Sequence, residues 1–318
     1  MNDYQIIGND MSFDMRKRIQ NLKTVSDRQH TYSNLEIIYT KSEDSMIVCK
    51  ARGNDGKDWA LKIYEISVEI NKKTHFNCLM GDHQNQMQLK GDPFVLQSNN
   101  AFQQEEDLLI FPSEYAKATL SQVLLEKKMR MSDYVTIITQ LVTGLKNIHE
   151  KDLVHGDITL NNVFVVDNNQ YKFGDFGYFT LGTPHSRHID LIRIDTEWDK
   201  NKFHDTWDVS FLLSEEYPIE PRKRWDVYSL GCLFYDMICI DDEKNAQREG
   251  HSYKKNNERF GLTDSDKQRL LKRLNQLSMN NKQLKKRIYN LITCSMNPFQ
   301  ISKQETRKIQ TLFSKLKH

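Results

Sequence analysis

Two aspartates and an asparagine lie close together in the middle of this 318-residue chain. Asp157 and Asn162 belong to the stretch VHGDITLNNVFV at 154–165, and Asp175 follows in FGDFG at 173–177. Phosphoryl transfer from a nucleotide needs such groups, because Mg²⁺ binds hard oxygen ligands and a carboxylate accepts the proton of the attacking hydroxyl. A metal-bound carboxylate is a poor base. Two acids can therefore divide these tasks, with Asn162 as a neutral second ligand.

Strand-like segments come first along the chain. From residue 35, three apolar runs separated by polar turns predict an antiparallel meander: LEIIYT, SMIVCKA and DWALKIYE. A polar stretch that continues to about residue 90 is typical of a helix. Two further strands are predicted in DPFVLQSNNAF and DLLIFPS.

Helical periodicity dominates after residue 115. ATLSQVLLEKKM and SDYVTIITQLVTGLKNIHEK carry apolar residues at three- and four-residue intervals, with Ser132 as the expected N-cap of the second. Short strands are expected around the opening motif, in LVHGD, NVFVVD and YKFGD. Two further helical runs follow, one over RWDVYSLGCLFYDMI and one from 262 to 294, separated by a charged insert at 241–260. The order predicts an α+β protein with three parts: an extension at 1–34, a strand-rich lobe at 35–115 and a helical lobe at 116–318.

Bulk composition excludes several classes of protein. Hydrophobic residues make up 38% and charged residues 28%, which indicates a globular chain rather than a disordered one. A formal charge of +2 gives no electrostatic case for nucleic acid or an anionic membrane as partner. No apolar run is long enough for a membrane span. Five scattered cysteines and the lack of a signal-peptide pattern lead us to expect an intracellular, cytoplasmic protein with reduced thiols.

Four motifs resemble those of eukaryotic-type protein kinases, in the family's order. HGDITLNN resembles the catalytic loop H-R-D-L-x-x-x-N, DFG at 175–177 resembles the metal-binding triplet, and WALK at 59–62 resembles the V-A-I-K strand. WDVYSLGC at 225–232 resembles the start of the long buried helix of the C-lobe. The resemblance covers about 35–310 and implies a bilobal fold, with a small β-rich N-lobe, a larger helical C-lobe and an ATP cleft between them.

The resemblance also implies roles for individual residues, with ATP and Mg²⁺ as cofactors and a protein hydroxyl as substrate. Asp157, Lys62 and Asn162 would be catalytic, Asn162 and Asp175 would bind the metal, and Lys62 would contact the phosphates. The nucleotide would further contact Val48, Ala60 and Phe164 around adenine, Phe111 at the back of the pocket, and Ser113 in the hinge PSEY (112–115).

Three more side chains receive supporting roles from the same resemblance. His155 and Phe176 would stack in the hydrophobic column that ties the two lobes together. Asp226, at the start of a helix, would accept the backbone N–H groups of the catalytic loop.

The chain departs from the family where a glycine-rich loop should cradle the phosphates. Alignment of VCKA with the end of that motif puts Lys41, Glu43 and Met46 in place of the three glycines. Glycines there let backbone amides approach phosphate closely, whereas Glu43 would bring negative charge towards it. We expect weakened ATP binding.

The usual partner of the lysine is also missing. Counting back ten residues from Pro93 leads to His83, and no glutamate lies between Glu69 and Glu105. Asp82 is the candidate for the ion pair with Lys62, although a helix-capping or surface role would explain that acid equally well.

Other departures concern regulation and substrate docking. Thr159 replaces the lysine that contacts the γ-phosphate in serine/threonine kinases, and Gly156 replaces the arginine that gathers a phosphorylated activation loop. The segment 178–214 lacks a clean A-P-E, for which LSEE at 213–216 is the nearest match, and Ile301 stands where an arginine is expected.

Three functions therefore remain open. The first is an active, divergent protein kinase for serine or threonine; the second is a pseudokinase that acts as a binding or scaffold module; the third is a small-molecule phosphotransferase, which shares HGDxxxxN. We favour the first because Lys62, Asp157, Asn162 and Asp175 are all present, and loss of a metal acid costs far more rate than loss of one loop contact.

Overall fold

The computed structural model describes residues 15–41, 46–65, 71–105, 107–167, 169–176, 219–239, 262–277 and 281–296. Several positions discussed above lie outside these ranges: Glu43, Glu69, Gly177, the segment 178–214, Glu215, Glu216, the insert 241–260 and Ile301. The chain divides into two compact units. One comprises 1–91 and 95–116, and the other comprises 92–94 and 117–318.

The first unit is built on a six-stranded antiparallel sheet with the order β1-β2-β3-β4-β6-β5. Its strands are β1 (Thr24–Ser26), β2 (Thr31–Lys41), β3 (Met46–Gly53), β4 (Asp58–Glu65), β5 (Phe102–Gln104) and β6 (Leu108–Glu114). Strands β2, β3 and β4 form the predicted meander. A two-residue alternation of buried and less buried side chains along β3 and β4 shows that one face of the sheet carries the core.

That core face is covered by the N-terminal part of the chain. Residues 15–21 form helix α1, in which Met15 and Ile19 are buried against a cluster that includes Ile47, Leu61 and Ile110. The segment that the sequence sets apart as an extension therefore packs into the unit from Met15 onwards, because its apolar side chains bury area that the sheet alone would expose.

An arginine fastens α1 to the edge of the sheet. Arg18 donates to both carboxylate oxygens of Asp107, at 2.9 and 2.7 Å, and to Glu105 at 2.7 Å and Glu65 at 3.0 Å. This bidentate contact holds the pKa of Asp107 below its ordinary value.

Helix α2 (Asn71–Met87) follows β4, as predicted. The strand predicted over 92–102 is wrong for most of its length, since the strand-like residues there are single bridges at Val95 and Ser98 and the start of Phe102–Gln104. Side chains bind the backbone there. Gln86 donates to the carbonyl of Leu96 at 2.9 Å, and the carboxylate of Glu114 accepts the N–H of Gln97 at 3.1 Å. The backbone of Gln97 and Asn99 bonds to the end of β6, whereas these side chains bind the backbone groups just before those contacts, so no regular strand forms.

The second unit contains a small antiparallel sheet and five helices within the described residues. Its strands are β7 (Ala118–Thr119), β8 (Val163–Val165) and β9 (Tyr171–Phe173). Its helices are α3 (Leu120–Glu126), α4 (Met131–Glu150), α5 (Ile219–Cys239), α6 (Asp264–Gln276) and α7 (Lys282–Ser295). The run predicted as one helix over 262–294 is thus two helices. The part of the chain that is described includes no helix long and apolar enough to cross a membrane.

Helix α4 begins earlier than its sequence suggests. Its N-cap is Arg130 rather than Ser132, because the buried carboxylate of Asp133 accepts the N–H of Arg130 at 2.9 Å. That backbone hydrogen bond holds the pKa of Asp133 below its ordinary value. An acid in the first turn therefore accepts a backbone N–H group at the start of the helix, whereas the sequence predicts Ser132 as the capping residue.

Residues 92–94 belong to the second unit although the chain on both sides belongs to the first. The carboxylate of Asp92 accepts from Asn147 on α4 at 2.8 Å, and Phe173 on β9 donates its N–H to the carbonyl of Phe94 at 2.8 Å. Gly144 allows this approach, since a Cβ at that position would lie 2.8 Å from the Cβ of Phe94.

Candidate active site

The loop between α4 and β8 closes on itself through Asp157 and Asn162. The Nδ2 group of Asn162 donates to the backbone carbonyl of Asp157 at 2.9 Å and to its Oδ2 atom at 2.6 Å. A turn formed by the N–H of Asn162 and the carbonyl of Thr159, at 3.2 Å, sets the five-residue step. Because both side-chain hydrogen bonds use Nδ2, the Oδ1 atom of Asn162 is left as an oxygen ligand.

Asp175 is brought to the same loop by the residue before it. The N–H of Gly174 donates to the carbonyl of Asn162 at 3.1 Å, so the chain leaving β9 runs beside Asn162. The backbone of Asp175 has φ +54°, in the left-handed region that costs a non-glycine residue about 1 kcal/mol. Its surroundings impose this conformation, as is common at functional sites.

His155 forms the buried floor beneath these acids. Its Nδ1 atom accepts the N–H of Asp157 at 3.2 Å, so the Nε2–H group donates to the carbonyl of Gly174 at 3.1 Å. Burial lowers the pKa of His155 below 6.5, although the charges of Asp226, Asp157 and Asp175 oppose this shift. A neutral imidazole with this tautomer therefore connects the loop of Asp157 to the backbone before Asp175.

The ring of His155 packs against two phenylalanines. Its centroid lies 4.6 Å from that of Phe176 in a stacked arrangement and 5.2 Å from that of Phe173. The predicted stacking of His155 on Phe176 is confirmed.

Asp226 binds the backbone of this loop, as predicted, but it lies about two turns into α5 and not at the start of the helix. Its carboxylate accepts the N–H groups of His155 at 2.8 Å and Gly156 at 2.9 Å, and Nε2 of His149 lies 3.0 Å from it. Burial disfavours the charged carboxylate, but the hydrogen bonds from His149 and the backbone outweigh it, so the pKa of Asp226 lies below its ordinary value. The strand predicted over LVHGD is consequently wrong, because these N–H groups bond to a side chain instead of a strand.

Gly156 has a local reason to be glycine. Its φ is +81°, in the region where a side chain is strained. The position at which the kinase motif has arginine therefore adopts a backbone that glycine adopts without strain.

Phe164, predicted beside adenine, lies on β8 in the second unit. It is half-buried, and it pairs in register with Thr119 on β7 and Lys172 on β9.

In the first unit, the residues predicted to bind the nucleotide share one face of the sheet. Val48, Lys62 and Phe111 stand directly opposite one another on β3, β4 and β6, and Ala60 and Ser113 form the neighbouring row. Directly paired residues point to the same side of a sheet. These five side chains therefore lie on the face opposite the core cluster, although they come from three separate parts of the sequence.

Tyr39 also lies on this face, where it pairs with Val48 and is 53% exposed, although the sequence does not point to it. A strict two-residue alternation from Ile37, which packs against the core, would have placed Tyr39 on the core face. The register shifts between Ile37 and Tyr39, and this irregularity moves Tyr39 to the other side. A local bulge leaves no clear signal in the sequence. At the end of the same hairpin, Lys41 pairs with Met46, so two of the three expected glycine positions lie opposite each other.

Helix α2 contributes His83 to this face. The ring of His83 lies 5.1 Å from that of Phe111, and its Nε2 atom lies 2.8 Å from the carbonyl of Asn99. Burial, together with the positive charge of Lys62, lowers the pKa of His83. Asp82 is the neighbouring residue on the helix, and its ion pair with Lys62 stays a prediction.

The oxygen ligands of the second unit suit magnesium chemically. Among the described residues there is no group of three or more His, Cys, Asp or Glu side chains arranged to hold a metal ion. Mg²⁺ commonly takes only one or two protein ligands and completes its shell with water and phosphate. Asn162 Oδ1 and a carboxylate oxygen of Asp175 are ligands of that kind.

Comparison with known proteins adds a family and several distant relatives. The protein kinase domain family matches residues 45–295. The chain is 24% identical over 247 residues to an interferon-induced, double-stranded RNA-activated protein kinase of Rattus norvegicus, covering 71% of this chain and 45% of the relative. It is 29% identical over 140 residues to a probable serine/threonine-protein kinase, ifkB, of Dictyostelium discoideum, covering 35% of this chain and 10% of the relative.

A third relative is the eIF-2-alpha kinase GCN2 of Schizosaccharomyces pombe, 23% identical over 144 residues, which cover 44% of this chain and 9% of the relative. The matched part of this chain spans less than half the length of each of these relatives.

Proposed function

The chain belongs to the protein kinase family, and from that premise we propose that it transfers the γ-phosphate of ATP to a protein hydroxyl, of serine or threonine, with Mg²⁺. The observation that supports this most is the arrangement of Asp157, Asn162 and Asp175. The side chain of Asn162 donates to Asp157, and the backbone carbonyl of Asn162 accepts the N–H of the residue before Asp175. ATP and Mg²⁺ supply the transferable group and the neutralising charge when bound.

Each residue then has a task that its chemistry suits. Asp157 accepts the proton of the attacking hydroxyl through a carboxylate that Asn162 orients at 2.6 Å. Asn162 and Asp175 would hold the metal through oxygen atoms, and Lys62 would bind phosphate oxygens as a cation. In the first unit, Val48 and Ala60 would contact the nucleotide base, with Phe111 and Ser113 beside them. In the second unit, Phe164 is the candidate for a contact with the base.

The second candidate is a pseudokinase that binds a partner without catalysis. Lys41 and Met46 at two of the expected glycine positions favour it, since a β-hairpin with bulky side chains brings fewer amides close to a phosphate. We rank it second because its support concerns affinity for ATP, whereas the groups that hold metal and move the proton are intact.

The test is transfer of radiolabelled phosphate from ATP, together with the shift in melting temperature on adding ATP and Mg²⁺. Asp157→Ala should abolish transfer but keep the ATP-dependent shift, and Asp175→Ala should abolish transfer and reduce the shift. Asp167→Ala is the matched control, because Asp167 is a surface acid whose side chain is 71% exposed. Absence of both the ATP-dependent shift in melting temperature and Asp175-dependent labelling would favour the pseudokinase over the active kinase.

The choice of substrate starts from the relatives. One relative is named an eIF-2-alpha kinase, so the α subunit of eukaryotic initiation factor 2 is the first protein to offer. Phosphoamino-acid analysis of the product separates serine and threonine from tyrosine. Labelling that appears on a small alcohol and on no protein would instead support a small-molecule phosphotransferase.

A further inference from the structure

A buried chain of polar groups crosses the first unit from β2 to α2. The hydroxyl of Tyr32 accepts from Nδ2 of Asn99 at 2.9 Å, and the carbonyl of Asn99 lies 2.8 Å from Nε2 of His83. The three residues are 0%, 7% and 8% exposed. Buried polar groups that are fully paired fix one arrangement of the elements that carry them, because the alternatives leave a donor or acceptor unsatisfied.

The charge state of His83 follows from its partners. A backbone carbonyl can only accept, so Nε2 carries the hydrogen in this contact. Burial and the charge of Lys62 both disfavour a second proton and lower the pKa of this imidazole. The ring is therefore neutral near pH 7, with Nδ1 unprotonated.

His83 also lies beside the row of residues that contains Lys62. Its ring contacts Phe111 at 5.1 Å, and Phe111 is the direct cross-strand partner of Lys62 on β4. Since the charge of Lys62 acts on His83, the two side chains are electrostatically coupled within this unit.

Helix α2 needs such an anchor because of what it lacks. Its sequence, NKKTHFNCLMGDHQNQM, contains no glutamate, and Asp82 is its one acid. An aspartate reaches one methylene less far than a glutamate, so the predicted ion pair of Asp82 with Lys62 would require the helix to lie closer to β4.

We propose that His83, held by Asn99 and Tyr32, is a positioning residue that fixes α2 against Phe111 on β6 and thereby orients Lys62, the cross-strand partner of Phe111, for phosphate binding. This inference rests on the proposed kinase function. It also gives a role to Tyr32, which precedes the segment 45–295 matched by the family. The segment before the matched domain thus sets the geometry of the lysine's surroundings.

The kinetic test compares variants that separate hydrogen bonding from packing. His83→Phe keeps a ring against Phe111 but loses the donor, and should lower kcat/KM for ATP about tenfold, mainly through KM. His83→Gln keeps an N–H donor and should recover most of the loss. Tyr32→Phe should give a smaller decrease in the same direction. Tyr289→Phe on α7 is the control and should behave as the wild type.

Two readouts distinguish positioning from a general loss of stability. If the hydrogen-bonded groups of Tyr32, Asn99 and His83 act together, the double variant Tyr32→Phe/His83→Phe should have a kcat/KM only slightly lower than that of His83→Phe alone. Additive effects of the two substitutions would overturn the proposal. The wild-type kcat/KM should fall in mild acid as His83 gains a proton, and His83→Gln should lack that decrease. The titratable groups on the surrounding elements are Lys62 and Tyr64 on β4, Tyr32 on β2 and Asp82 on α2 itself.

A measurement that needs no activity keeps the two proposals separable. The rate at which Lys62 is acylated by an amine-reactive reagent, followed by peptide mass spectrometry, reports its environment directly. His83→Phe should change this rate at least about threefold, and Tyr289→Phe should not change it. An unchanged rate overturns the inference, while a wild type with no phosphate transfer and a His83-dependent rate overturns only the proposed function.

Discussion

At the scale of single residues, the contact between Asp157 and Asn162 matters most. An amide and a carboxylate at 2.6 Å form a charge-assisted hydrogen bond, which would orient Asp157 for the proton transfer that we propose for it. Both side-chain hydrogen bonds from Asn162 to Asp157 use Nδ2, so the Oδ1 atom of Asn162 is the group that we propose as a metal ligand. Asparagine suits this position better than aspartate because only the amide can donate to Asp157 and still offer an oxygen.

Replacement of Asn162 by aspartate tests this reasoning. Asn162→Asp removes both donated hydrogen bonds and sets two carboxylates side by side, which favours protonation of one of them. We expect kcat to fall by about 100-fold or more and the optimum of activity to move to higher pH. The measurement is kcat as a function of pH. Asn161→Asp adds the same charge at the exposed neighbouring residue and should leave the profile in place; a similar loss there would show that charge alone was responsible.

At the scale of elements, the packing of α4 against β9 decides where the site's loops begin. Gly144 lies at this contact, where an added Cβ would meet the Cβ of Phe94 at 2.8 Å and the ring of Phe173 at 3.2 Å. Phe173 ends β9, two residues before Asp175. A displaced β9 would consequently displace Asp175 as well.

Gly144→Ala should therefore destabilise the protein, by about 1–3 kcal/mol in the free energy of unfolding, since overpacking of a tight contact forces the neighbours to move. Gly81→Ala is the matched control. It lies in helix α2 with nothing within 4 Å of an added Cβ, and alanine should stabilise that helix by about 0.5–1 kcal/mol. Denaturant unfolding followed by fluorescence measures both. Equal effects of the two substitutions would contradict the packing explanation.

At the scale of the whole molecule, each unit contains a buried histidine with a lowered pKa next to residues of the predicted site. His83 lies in the first unit and His155 in the second, and burial is the largest cause of the lowered pKa of both. Because the pKa values of both histidines are lowered by folding, the folded protein binds a proton at these side chains less readily than the unfolded chain does. The stability of the protein should therefore depend on pH in the range in which histidine titrates.

The sign of this dependence follows from linkage. Because both folded-state pKa values lie below 6.5, the unfolded chain binds more protons at mildly acidic pH. The stabilisation is fully present above pH 6.5 and is lost as the pH falls through the folded-state values. Melting temperatures measured between about pH 7.5 and about pH 5 at constant ionic strength should fall on acidification. His83→Gln should reduce the slope, and a flat wild-type profile would refute the assignment.

Predictions from the sequence were most reliable where local pattern decides the structure. The α+β order, the meander β2–β4 and helices α2, α4 and α5 followed from periodicity and turn residues, and the kinase motifs led to the correct family. Errors arose where a distant side chain takes over a backbone group. Asp226 binds the backbone N–H groups at LVHGD, and Gln86 and Glu114 bind part of the backbone at Leu96 and Gln97. Such partners are far apart in the chain and leave no local signal.

The sequence by itself determined which chemical groups this protein has and in what order: a lysine in a strand, two acids and an amide at the family's spacing, and no glycines in the phosphate loop. The tertiary structure decided which of them share a face or a loop. Strand register aligns Val48, Lys62 and Phe111, and a bulge places Tyr39 on the same face. The carbonyl of Asn162 accepts the N–H of Gly174, which brings the segment of Asp175 beside the loop of Asp157. Residue types are local properties of a chain, whereas register and long-range hydrogen bonds depend on the packing of all elements at once.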